Sequence, residues 1–133
     1  PVPGTAEGKI VHDTLPFAAG AIRGATFTVK AGKMVAHDAQ PGPEYDLWKK
    51  RYATAPASRD DFAYVDVGIN PNVKIPAGSK LTSWVPAGAV SLGFGGNVWA
   101  GGANTISWAS GGSINGCTLT VDGQVIVENG VLK

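Results

Sequence analysis

Residues 117–130 read CTLTVDGQVIVENG, and this stretch decides the fold class. Cys117 to Val121 and Gln124 to Glu128 are two short β-forming arms around Asp122-Gly123. Both turn residues accept positive φ, so they build a two-residue hairpin turn. Asn129-Gly130 then ends the second arm. The same pattern recurs towards the N-terminus. Ile22 to Lys30 places Ala25, Phe27 and Val29 on one side and Thr26 and Thr28 on the other. After Ala31-Gly32, Met34, Val35 and Ala36 read as the return arm of a hairpin. Gly8 to Thr14 is a further strand, with Ile10 and His12 on one face and Val11 and Asp13 on the other.

Nineteen glycines and nine prolines among 133 residues punctuate short apolar runs and exclude a helical bundle. The expectation is a mainly β, α+β fold: small sheets or a partial barrel of short strands, with one substantial helix near 43–54. Pro43 suits a first helical turn, because its missing N–H would be unpaired there anyway. Glu44 and Asp46 sit near the positive end of the helix dipole, and Lys49, Lys50 and Arg51 near the negative end. Tyr45, Trp48 and Tyr52 fall at helical spacing and form an aromatic stripe for core packing. Between Gly88 and Gly116, glycine mixes with Ser, Asn and Trp, while Phe94, Trp99, Ile106 and Trp108 interrupt it. Glycine inside apolar strands lets backbones approach closely, so this region reads as packed short strands and long turns lining a groove.

The length fits one domain, 1–133, able to bury roughly 70% of its unfolded surface. Eleven basic and ten acidic side chains leave a net charge of +1, with no electrostatic footprint for nucleic acid or anionic lipid. No apolar run approaches the roughly 20 residues of a spanning helix, and no signal sequence is expected. The single cysteine, Cys117, excludes an internal disulfide and fits a cytoplasmic address. Pro1 fits either removal of an initiator methionine or a chain cut from a longer protein.

Catalytic chemistry is sparse. The two histidines, His12 and His37, lie on different strands, each beside an aspartate, Asp13 and Asp38. Strand neighbours point to opposite faces, so neither pair chelates as a unit. No Gly-x-Ser-x-Gly elbow singles out a serine. Gly93-Phe94-Gly95-Gly96 lacks the Gly-Lys-Ser/Thr ending of a phosphate loop. Cys117, placed in a strand, reads as an inert thiol.

Several segments in order resemble the C-terminal domain of the aminopeptidase T/aminopeptidase S family of metallopeptidases. They are PVPGTAEG at 1–8, TFTVKAGKMV at 26–35, YVDVGINPN at 64–72, WVPAGAVSLGFG at 84–95 and the closing VDGQVIVENGVLK at 121–133. The resemblance spans nearly the whole chain and implies two divalent metals held by carboxylates and histidines. At the matching positions, however, one family glutamate becomes Asp66, another becomes Trp84, and a histidine becomes Ser91. A later His-x-Asp pair appears as Ser107-Trp108-Ala109. One carboxylate of the set is left, too few donors to hold such a cation, so no cofactor and no metal are expected. The same losses undermine the two-histidine, one-carboxylate iron site of the ring-cleaving dihydroxypyridine dioxygenases, which look like relatives of that family.

The resemblance thus implies a degenerate, non-catalytic peptidase-like domain recognising a peptide or protein partner, for example presenting a precursor peptide to a separate modifying enzyme. Asp66, Trp84, Ser91, Ser107 and Trp108 are the binding candidates, and the metal-ligand positions become an aromatic pocket with small hydroxyls. One alternative is a fragment or subunit of a metal-dependent aminopeptidase-like enzyme that needs another chain or domain. Another is a structural dimerisation domain, since the family's C-terminal halves associate.

Overall fold

The computed structural model describes residues 1–74, 76 and 85–133. The chain forms β1 (Gly8–Phe17), β2 (Gly20–Lys30), β3 (Lys33–Asp38), α1 (Pro43–Thr54), β4 (Phe62–Val67), β5 (Val90–Gly95), β6 (Ala109–Ile114), β7 (Leu119–Val121), β8 (Gln124–Glu128) and β9 (Val131–Leu132). The strands make three antiparallel sheets of three strands each, in the orders β1-β2-β3, β4-β5-β6 and β7-β8-β9. A bridge between Lys33 and Asp61 joins the first sheet to the second. Strands β1 to β6 therefore run as one meander, open between β6 and β1. This is the mainly β architecture with one helix that the alternating runs imply.

The turns form where two-residue chemistry allows them. Ala31 and Gly32 both have positive φ (49° and 73°), as do Asp122 and Gly123 (50° and 80°). A third such pair, Asn129-Gly130, does more than end β8. It turns the chain back so that Val131 pairs with Glu128, a return strand absent from the sequence reading. β1 also runs past Thr14 to Phe17, although Pro16 reads as a breaker. β1 is an edge strand, and the missing N–H of Pro16 costs nothing on its open side. Cys117 lies outside β7, half-buried after the Gly116 turn, with its backbone carbonyl accepting from Gly130. The sequence pattern alone places it within the strand.

The core forms between the first two sheets and is sealed by α1. Ile10, Leu15, Ile22, Ala25, Phe27, Val29 and Met34 supply one wall, Phe94 and Leu92 the other. Trp48 is the plug, 1% exposed. Its indole N–H donates to Ser110 Oγ at 2.8 Å, and its ring stacks on Tyr52 at 4.9 Å and meets Phe27 at 5.8 Å. Truncating an indole so placed typically costs about 3–5 kcal/mol, since it leaves both a cavity and an unpaired hydroxyl. The stripe expected of Tyr45, Trp48 and Tyr52 is therefore core. Among the described residues, no helix is long and apolar enough to cross a membrane.

His12 is the polar exception in this core. It is buried against Phe27, and its Nε2 has no hydrogen-bond partner among the described residues. Burial pushes its pKa below the ordinary 6.5, and a backbone hydrogen bond at Ser113 only partly opposes the shift. The unfolded chain therefore binds the proton more readily than the native one. Stability is full above the unfolded value and declines as pH falls through about 6.5 towards the lower native value. Urea midpoints taken at about pH 7.5 and about pH 5 should show this loss, and His12→Phe should flatten it. An unchanged slope in the variant would assign the acid sensitivity to another group.

Candidate functional site

The second sheet has two unlike faces. On β6, Ser110, Gly112 and Ile114 pair with Phe94, Leu92 and Val90 of β5 and look into the core. The intervening positions look outward: Ser91, Gly93 and Gly95 on β5, and Ala109, Gly111 and Ser113 on β6. A register shift between Phe62 and Tyr64 turns β4 over. Phe62 packs on Phe94 inside, while Tyr64 and Asp66 stand opposite Gly93 and Ser91 outside.

Glycine makes the outer face usable. The Tyr64 ring lies where a side chain at Gly93 would stand, and its hydroxyl reaches over Gly111, so a methyl group at either position would overlap it. Trp99, 65% exposed, meets the Tyr64 ring edge-on at 5.1 Å. Ser91 is buried, and its hydroxyl shares a 2.7 Å hydrogen bond with that of Ser113. Tyr64, Asp66, Val85, Ser91, Trp99 and the β6 backbone enclose a cleft of about 430 Å³. Burial, aided by the Asp66 charge, raises the Tyr64 pKa, so its phenol stays protonated and can donate at neutral pH. The cleft thus offers two aromatic surfaces, one carboxylate acceptor and hydroxyl groups.

Of the residues singled out from the sequence, Asp66 and Ser91 meet here, directly opposed across β4 and β5. Ser107 is exposed, ahead of β6, and does not line the cleft. Trp108 sits on the other side of the sheet. It meets Trp48 at 6.3 Å and Tyr52 at 5.9 Å, within the aromatic core cluster. The cause is strand parity, since residues 108, 110, 112 and 114 share the inward face. Trp84 lies outside the described residues. Tyr64 and Trp99 are the functional candidates that sequence reasoning passed over. The alternation of YVDV already placed Tyr64 and Asp66 on one face, but nothing in the sequence brought Trp99 to Tyr64.

No family model matches the chain, and no curated protein matches it. Among solved structures, it is similar to the 2,5-dihydroxypyridine dioxygenase from Pseudomonas putida KT2440, with a TM-score of 0.77 and 19% identity. The likeness covers 100% of this chain and 42% of that one, so the chain spans less than half the enzyme's length. At this identity the two share a fold.

The iron site that the sequence resemblance brings to mind does not fit the residues present. The cleft-side partners of Asp66 are hydroxyls, His12 is locked in the core against Phe27, and His37 packs against the α1 aromatics. Among the described residues, no three His, Cys, Asp or Glu side chains converge as a metal would need. The glycine floor gives a direct check on the geometry. Gly93→Ala should displace the Tyr64 ring, destabilise the fold by about 1–3 kcal/mol and alter Trp99 emission. Emission and stability both matching the wild type would mean that Tyr64 does not rest on this floor.

Proposed function

We propose that this domain is a non-catalytic recognition module that holds an extended peptide segment against the outer face of the β4-β5-β6 sheet. The carrying observation is the cleft in which Tyr64, Trp99, Asp66 and Ser91 surround a glycine-floored hollow. Tryptophan and tyrosine offer large, rigid contact area at small entropic cost and are enriched at binding hot spots. One carboxylate, one protonated phenol and the Ser91 hydroxyl are orienting groups, able to accept from or donate to the amides and polar side chains of a peptide. Among the described residues that line the cleft, none pairs a nucleophile with a base. The reading extends the resemblance to peptidases: a site that keeps the shape for peptide after losing the donors for metal. An unpaired cysteine is consistent with a cytoplasmic setting.

Calorimetric titration with blocked threonine-rich hexapeptides tests the reading. Trp99→Ala and Asp66→Ala should each weaken binding by about fivefold or more, with far-UV circular dichroism unchanged. Equal affinity in wild type and both variants would remove the cleft as the binding site.

A second reading rests on the match to 42% of a larger enzyme. In it the domain is one part of a metal-dependent assembly whose missing ligands come from another chain, with Asp66 contributing one donor. Elemental analysis of the protein co-purified with a partner chain, beside the chain purified alone, separates the two. Recognition without metal predicts no stoichiometric transition metal, whereas one tightly held equivalent would favour the enzyme.

A further inference from the structure

The meander of six strands does not close. Among the described residues no ladder joins β6 to β1, although the two edges run side by side. Which backbone groups of β6 are left open follows from alternation. The Gly95 N–H donates to Asp61, on the β4 side of β5. In an antiparallel sheet a residue's N–H and C=O point the same way and alternate along the strand. Phe94 therefore faces β6, and Ser110, opposite Phe94, spends its backbone groups on β5. The donation from Gly96 to the Trp108 carbonyl keeps the same phase. Ala109 and Gly111 consequently direct their N–H and C=O groups away from β5, towards the open seam.

At this end of the seam lies a hollow of about 480 Å³ between Ala109–Gly111 and the tip of the β1–β2 hairpin. Its single charged lining residue is Arg51, from the last turn of α1. The Arg51 guanidinium is held over the Phe17 ring at 5.2 Å, and among the described residues no carboxylate forms an ion pair with it. Ala109 to Gly111 also border the Tyr64–Asp66–Trp99 cleft on their other side.

We infer that the β6 edge is a docking strand for an extended, acidic peptide segment, which adds to the sheet at Ala109 and Gly111 and sets a carboxylate on Arg51. Backbone pairing supplies sequence-independent affinity, as in other cases of strand addition. Specificity comes from the two-residue period of a strand. One side chain turns to the core side, where a carboxylate meets the planar guanidinium fork. The next turns to the outer face, where a hydrogen-bond donor meets Asp66 and Tyr64. The inference deepens the recognition reading above by naming the strand and the charge of the partner.

The probes are three blocked hexapeptides alternating threonine with glutamate, with lysine or with glutamine, titrated against the full chain. The glutamate peptide should bind about fivefold tighter than the lysine peptide, the scale of one exposed ion pair. Arg51→Glu should reverse that order, and added salt should narrow the gap. Ala109→Pro, which removes one outward N–H, should weaken all three peptides without altering Trp99 emission. No binding by any peptide, or equal binding of all three that Arg51→Glu leaves unchanged, overturns the inference. Loss of binding in Trp99→Ala, with Arg51→Glu and Ala109→Pro both silent, keeps the cleft and rejects the edge. The opposite pattern keeps the edge and rejects the cleft. Self-association that competes with peptide and disappears in Ala109→Pro would assign the edge to a second copy of this chain.

Discussion

The hydrogen bond from the Trp48 indole to Ser110 Oγ, made within a cluster of aromatic rings, is the contact on which the arrangement of helix and sheets depends. One end of that bond belongs to α1 and the other to β6, which is separated from it by two strands of sheet. The ring touches Phe27 from the first sheet, Tyr52 from its own helix and Trp108 just ahead of β6. Burying an indole is favourable only if its N–H finds an acceptor. Ser110 supplies one at the position where the inward face of β6 must come closest to the helix. That contact also settles which residues of β6 look outward.

Everything proposed about recognition follows from the resulting two-faced sheet. With Ser110, Gly112 and Ile114 committed to the core, Gly111 and Ser113 are left to the outer surface. Gly112 is small because Leu15 of β1 presses against it, and Gly111 is small because the β5 backbone at Leu92 and Gly93, and then the Tyr64 hydroxyl, lie across it. The two neighbouring glycines thus answer different demands on opposite sides of one strand. The cost of so many glycines is conformational entropy on folding. It is offset by the close packing that lets a tyrosine lie flat and a cleft open beside it.

The edge of β6 is open for a related reason. β1 approaches β6 through side-chain packing, Leu15 over Gly112, rather than through a backbone ladder. Unpaired sheet edges are a hazard that proteins usually cover, charge or shorten. Here the edge is short and carries a cation at one end, features that restrain indiscriminate pairing and favour a partner of opposite charge.

Much of this was legible in the residues alone. The two-residue turns at Ala31-Gly32 and Asp122-Gly123, the helix opened by Pro43 and the shared face of Ala25, Phe27 and Val29 are local matters of φ preference and period, which a one-dimensional pattern records, whereas the burial of His12 is not. Only the tertiary structure decided that Asp66 and Ser91 share a cleft, that Trp108 belongs to the core while Trp99 faces Tyr64, and that Gly93 and Gly111 form a floor. Those outcomes turn on strand register, on the shift between Phe62 and Tyr64, and on which strand lies next to which. Register couples residues tens of positions apart, and a slip of one exchanges the faces of a strand.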